Sequence, residues 1–191
     1  MKVTREQAAQ NRERVLDTAA REFRQKEFDG ISVADLMKSA GLTHGGFYGQ
    51  FASKEDLMAQ ACERAFTRLM DNWQRMGEPG DDKAAILRKV THSYLSEARR
   101  DHPEGGCVIA ALGAEATRQG PALRAVVTQG IRDQLGRLAR LMPGRSVETQ
   151  RKRAVEAYAS MVGALVLARA VADDAELSGE FLKTVAAAVA P

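Results

Sequence analysis

Two short apolar stripes parted by a single glycine constrain this chain more than any other feature. In residues 32–57, SVADLMKSAGLTHGGFYGQFASKEDL, Val33, Leu36, Met37 and Ala40 fall at i, i+3, i+4 and i+7, the spacing of one buried helix face. Ser32 with Asp35 three residues on is a variant capping box: the hydroxyl accepts from an early backbone N–H and the carboxylate sits at the positive helix end. Gly41 ends that helix, because a left-handed residue after the last turn costs glycine little. Thr43 opens a second short helix in which Phe47 and Phe51 point back at i and i+4, and Ser53 with Asp56 starts a third. Two short helices joined by a tight glycine turn predict a helix-turn-helix, a shape that sets its second helix in a DNA major groove.

The flanks fit that unit. A first helix is predicted from about Thr4 to Lys26, with Val15, Leu16, Ala19 and Phe23 inward. From Lys54 a long helix runs to about Met76, with Leu57, Ala61, Ala65, Leu69 and Trp73 at steps of four and no breaker for over twenty residues, which predicts a rigid strut. Gly77 to Asp82 is a loop signal. Further helices follow: one with Ile86, Leu87, Val90, Tyr94 and Leu95 that ends near Asp101, one from Cys107 to about Gly120, one on to Leu141, one from a Ser146 cap to Ala172, and one from Leu177 to Val189. Strand-type alternation is hard to find. The expected fold is all-α with about nine helices: a helix-turn-helix DNA-binding domain over residues 1–53 and a helical ligand-binding and dimerisation domain over 54–191.

Composition narrows the function classes. A hydrophobic content of 45% with 28% charged residues is ordinary for a globular chain. No apolar run has the length of a membrane span and the first residues lack a signal-peptide core, so the expected setting is cytoplasmic, with no membrane partner. The formal charge is +3, and up to Lys54 nine basic residues face seven acidic ones. Any DNA affinity must therefore come from placement and not from bulk charge. The two cysteines, Cys62 and Cys107, form no CxxC pair, and a structural disulfide is not expected. No phosphate loop, metal-spaced His/Cys cluster or nucleophile elbow appears, which argues against an enzyme, a metal and a cofactor.

The helix from Glu148 to Ala172 is apolar nearly all round from Ala154, and the last helix is similar. A helix apolar on more than one face is buried on more than one face. One reading is the centre of a monomer's core. The other is a homodimer joined through four helices, with Tyr158, Met161, Val162, Leu165, Ala168, Phe181 and Val185 at the contact.

The run Ala40-Gly41-Leu42-Thr43, then Phe47-Tyr48 and Phe51, then Ser53-Lys54-Glu55-Asp56-Leu57 resembles the DNA-binding domain of the TetR family of transcriptional regulators. The resemblance implies a homodimer on a palindromic operator, released by a small ligand held in the C-terminal domain. A shorter segment, Gly106-Cys107 with Leu112, Ala114 and Glu115, is similar to the LmrA/YxaF-like and electrophile-responsive branch of that family. The chain departs from the family pattern at Met37, where a small residue is usual, and at Gln50, which stands for a His or Tyr.

Gly45, Gly46 and Gly49 lie inside the expected recognition helix, where each costs about 1 kcal/mol against alanine. Breaking a local rule three times in one turn points to close approach of the backbone to DNA. Thr43 can bond a phosphate as well as cap, and His44 is placed to reach a base edge or a phosphate. The family resemblance implies phosphate contacts for Tyr48, Gln50 and Lys54. For sensing, the candidates are Cys107, Trp73, Met70, Tyr94 and Tyr158, with His92, and the expected effector is aromatic, lipophilic or electrophilic. Cys107 opens a helix after Gly105-Gly106, where the dipole favours a reactive thiolate, though a small buried hydrophobe is the ordinary role of a free cysteine. The leading reading is a ligand- or redox-responsive regulator, a repressor. The rivals are a helical thiol enzyme using Cys107 with His102 or Glu115, and a purely architectural helical dimer.

Overall fold

The computed structural model describes residues 4–77 and 80–190. Among them are nine α-helices, two short 3-10 turns and no strand. In chain order the helices are α1 (Arg5–Lys26), α2 (Val33–Ser39), α3 (Lys54–Arg75), α4 (Lys83–Tyr94), α5 (Glu97–Asp101), α6 (Val108–Ala116), α7 (Pro121–Leu141), α8 (Val147–Ala170) and α9 (Ala175–Val189). Their starts follow local chemistry. Thr4, Ser32, Ser53, Ser96, Ser146 and Asp174 each accept from a backbone N–H of the first turn, which satisfies donors that the helix itself leaves unpaired. Pro121 heads α7, where its missing N–H costs nothing.

The expected helix-turn-helix forms with one change in its second half. Leu36, Met37 and Ala40 are buried, Gly41 takes φ +72°, and the Ser32 and Ser53 caps are both made, to Asp35 N at 3.1 Å and Asp56 N at 3.0 Å. The second element, however, is a 3-10 turn over His44–Gly46 and not a full helix. Three glycines in six residues remove the propensity that would carry it further. It closes through Gln50 N and Phe51 N, both bonded to Phe47 O at 2.9 and 3.0 Å. Phe47 and Phe51, stacked at 5.6 Å, hold it against the core. At the α1–α2 corner Gly30 is required, since a β-carbon there would lie 1.8 Å from Lys26 O.

Two further boundaries differ from the sequence reading. The helix expected through to Asp101 breaks after Tyr94, because Ser96 caps a separate short helix through Arg99 N. The helix expected from Cys107 to about Gly120 stops at Ala116, with Thr117 Oγ1 turned back onto Ala114 O at 2.7 Å.

The apolar interior divides along α3. Its first half joins α1, α2, Phe47 and Phe51 in one core, which also takes in Val108 and Leu112 of α6 and Leu123 of α7. From Leu69 onward α3 belongs to a second core with α4, α7, α8 and α9. The division expected at 53/54 coincides with the Ser53 cap, but the first core continues past it to Phe66 and borrows from the C-terminal helices. The helix-turn-helix is thus braced by α3 and by α6.

On α8 the buried residues are Ala154, Ala157, Tyr158, Met161, Ala164, Leu165 and Ala168. Tyr158, Met161, Leu165 and Ala168, expected at a contact between chains, therefore lie inside the protomer's own core. The outward stripe is Val155, Ala159, Val162 and Val166, at i, i+4, i+7 and i+11. Val155 and Val166 are 45% and 42% exposed, and Val162 is half-buried, as are Phe181 and Val185 on α9.

Candidate nucleic-acid interface and effector chamber

The glycine turn stands at the tip of the helix-turn-helix. Thr43, His44, Gly45, Gly46 and Gly49 are exposed there, and Tyr48 is 70% exposed. Thr43 precedes the turn but its hydroxyl makes no capping bond, which leaves it free for another acceptor or donor. His44 and Tyr48 meet edge to face at 6.0 Å, and Tyr48 also packs edge-on against the buried Phe47 at 5.1 Å. Gln50 is committed inward: Nε2 donates to Gly46 O at 3.2 Å, so it staples the turn. Lys54 opens α3, half-buried. A β-carbon at Gly45 would meet nothing within 4 Å, and at Gly46 nothing nearer than 3.7 Å. Nothing inside the protein demands glycine at either place.

Arginines nearby are mostly engaged in the fold. The Arg12 guanidinium lies 5.2 Å over the Phe51 ring and donates to Gln60 Oε1. Arg64 pairs with Glu13 and Asp17, and Arg68 with Asp17. Burial works to raise the Asp17 carboxyl, but hydrogen bonds from Arg68 and Arg64 outweigh it and hold the group below its ordinary value.

In the second core, Trp73, Tyr94 and Cys107 line one cavity of about 10 Å³, room for one water at most. Trp73 and Tyr94 meet edge to face at 6.4 Å. Burial, and next the adjacent Cys107 thiol, push the Tyr94 and Tyr158 phenols above their ordinary range. Four of the five expected sensing residues are therefore neighbours in a closed chamber. Met70 is elsewhere, on a groove between α3 and α7, and His92 is exposed. Cys107 is the residue before α6, as expected, but it is 2% exposed and its thiol makes no capping bond. A reagent reaches it only when the chamber opens. Cys62 is a structural thiol whose pKa burial raises to about 12.

Sequence reasoning missed the polar parts of this region. Tyr94 Oη and Tyr158 Oη are buried with only the Cys107 thiol beside them, and Thr91 Oγ1 and both amide atoms of Gln134 are buried with no hydrogen-bond partner among the described residues. Arg169, at the end of α8, donates to Arg99 O at 2.7 Å, Ala110 O at 3.1 Å and Arg100 O at 3.3 Å, which ties α8 to α5 and α6 beside Cys107. Arg24 of α1 donates to Glu104 O at 2.9 Å, and burial lowers its pKa to about 10. Glu115 of α6 accepts from Phe28 N at 3.0 Å. The last two join the Cys107 loop and α6 to the DNA-facing unit. The available signal was a lone charge in an apolar helical stretch, as at Glu115 and Arg169; Gln134, among Arg132, Asp133 and Arg137, carried none.

Among the described residues no His/Cys/Asp/Glu group has the arrangement of a metal site, and no helix is long and apolar enough to cross a membrane. His102 faces Glu104 and Glu115 is bonded to Phe28 N, so each of the groups considered as a base for Cys107 is bonded elsewhere.

Comparison with known proteins agrees with this geometry. Residues 15–61 match the family described as bacterial regulatory proteins, tetR family, and residues 84–183 match the tetracyclin repressor-like C-terminal domain. The HTH-type transcriptional regulator AcrR of Shigella flexneri is 30% identical over 102 residues, covering 51% of this chain and 47% of that protein. The HTH-type transcriptional regulator EthR of Mycolicibacterium smegmatis is 32% identical over 109 residues, covering 56% and 48%. The chain thus spans about half the length of the curated relatives it matches. The solved structure of reduced Escherichia coli NemR shares the fold at a TM-score of 0.80 and 22% identity, covering 94% of this chain and 95% of that one. A TetR regulator from Chloroflexus aurantiacus does so at 0.78 and 23%, covering 97% and 94%. The relatives are transcriptional regulators and not enzymes. With the second matched segment alone covering over half of its length, the chain belongs to the TetR family of bacterial transcriptional regulators.

Proposed function

We propose that this regulator is a repressor that binds a palindromic operator as a homodimer and lets go when a small effector opens the chamber around Cys107. The observation that carries the DNA reading is the exposed glycine turn, whose glycines the fold does not need. Backbone at Gly45 and Gly46, with His44, Tyr48, Thr43 and Lys54, forms a surface able to press against phosphates and base edges. Gln50 contributes by holding the turn.

The effector reading rests on the buried phenols of Tyr94 and Tyr158, whose Oη atoms have no oxygen or nitrogen partner among the described residues and only the Cys107 thiol beside them. A buried donor or acceptor without a partner costs about 1–3 kcal/mol, so an aromatic or lipophilic compound that also carries hydrogen-bonding groups gains by entering among them. The closed cavity makes the DNA-competent form the resting one in this reading, and the effector selects an opened form. An electrophile would reach Cys107 through the same opening. The route to DNA runs through Arg24–Glu104 and Glu115–Phe28 as well as along α3. For the homodimer, the supporting observation is the exposed apolar stripe Val155, Ala159 and Val166 of α8, beside half-buried Val162, while the half-buried Phe181 and Val185 of α9 pack against the protomer's own core.

Selection from randomised duplex DNA tests the reading. The expected product is a palindrome with half-sites about one helical turn apart, bound by two chains per duplex. Recovery of no consensus, or of a non-palindromic site bound by one chain, would overturn it and favour an architectural role.

A further inference from the structure

Lys54 is the first residue of α3, and a cation there opposes the helix macrodipole, so the helix gains nothing from its charge. The corner that presents it is held by a relay of side chains reaching back to α1. Asp56 N donates to Ser53 Oγ at 3.0 Å, and Ala52 N donates to Asp56 Oδ2 at 3.1 Å, a reciprocal cap across the bend. The other carboxylate oxygen, Asp56 Oδ1, accepts from Gln60 Nε2 at 2.8 Å, one turn further on. Gln60 Oε1 in turn accepts from Arg12 Nη2. The Arg12 guanidinium also lies over the ring of Phe51, the residue before Ala52.

The middle member decides what this relay can do. An amide donates at one atom and accepts at the other, so Gln60 links a cation to a carboxylate through one neutral group. Both of its bonds have a charged partner, the stronger class of hydrogen bond. A plain tie between α1 and α3 would not need the carboxylate that caps the bend. That tie is already supplied further along by Arg64 and Arg68 on Glu13 and Asp17. The relay ends instead on the peptide N–H of Ala52, two residues before Lys54.

We propose that Arg12, Gln60 and Asp56 are positioning residues for DNA binding: they fix the angle of the corner at residues 51–54 and so hold the Lys54 ammonium group at a phosphate. The inference rests on the reading of Lys54 as a phosphate contact and adds the residues that stand behind it.

The test is a double-variant cycle on the full chain, read as affinity for mixed-sequence duplex DNA against salt. Phosphate contacts carry no sequence information, so this probe does not depend on a palindrome being found. Lys54→Ala flattens the slope of log affinity against log salt by about 0.9. Gln60→Met keeps length and helix propensity but neither donates nor accepts in the relay. It is expected to weaken binding about three- to tenfold, as coupled neighbours do, and to flatten the slope although it removes no charge. In the Lys54→Ala background the same change alters affinity by less than about twofold. Gln60→Leu repeats the pattern, and both variants melt cooperatively. An unchanged affinity and slope in Lys54→Ala overturns the phosphate reading and this inference with it. A Lys54→Ala effect beside an unchanged slope in Gln60→Met, or two losses that add, overturns the inference alone and leaves Lys54 on DNA. Loss of cooperative melting in both Gln60 variants makes the relay a support of the fold and overturns the inference as well.

Discussion

A β-carbon at Gly45 would meet nothing within 4 Å, and Gly46 and Gly49 have only ordinary contacts waiting. Glycine costs a helical turn about 1 kcal/mol against alanine, so an intramolecular account predicts that alanine is tolerated or favoured. Gly45→Ala should leave thermal stability equal or raised by up to about 1 kcal/mol, while operator affinity falls. Stability and affinity falling together would show that the glycine serves the fold. At Cys62, burial holds the thiol protonated up to about pH 12, against an ordinary 9.0. The unfolded state loses that proton first, so the group lowers stability as pH rises between those values. Native Cys62 should stay unlabelled by iodoacetamide at pH 8 and become labelled on unfolding, which mass mapping checks. The apolar and capping positions of this unit were legible because spacing and caps are local. The length of the second element was not: its glycines had a stated cost, but only three-dimensional packing of Phe47 and Phe51 fixes how far a turn survives it.

Among the elements, α3 was expected as a rigid strut, and its length and buried face are as the steps of four implied. The structure adds α6. Through Glu115 it holds Phe28 N, and through the loop before it Arg24 holds Glu104 O. Such links join residues 87 and 80 positions apart, and no local pattern marks them. Removing the Glu115 carboxylate leaves a buried N–H unpaired at a cost of about 1–3 kcal/mol. Glu115→Ala should lower the melting temperature and also reduce how far an effector weakens operator binding. Unaltered stability in a thermal scan would contradict the bond, and unaltered effector response would return the signal to α3. The chamber shows the same limit of sequence reading. Trp73, Tyr94, Cys107 and Tyr158 stood out as residue types on different helices, yet that they converge and that Met70 leaves them is decided by how α3 turns between α4 and α7.

For the whole molecule, the apolar character of α8 was visible in its composition, but composition does not say which face is spent on the protomer's own core. Tyr158, Met161, Leu165 and Ala168 are, and the stripe from Val155 to Val166 is left outward. A single charge in that stripe has no partner in an apolar contact. Val166→Asp should therefore give a folded monomer in sedimentation, with operator affinity reduced because a palindrome needs both recognition turns. A Val166→Asp protein that sediments as the unsubstituted one does would place the contact elsewhere.

The central claim is that the tip from Thr43 to Lys54 is the surface on DNA, and its most direct test is operator affinity against salt for Lys54→Ala. Neutralising one phosphate releases about 0.9 of a counterion, so the slope of log affinity against log salt should flatten by about that amount, with weaker binding to operator and non-operator DNA alike. An unchanged affinity and an unchanged slope would contradict the placement of DNA on this surface.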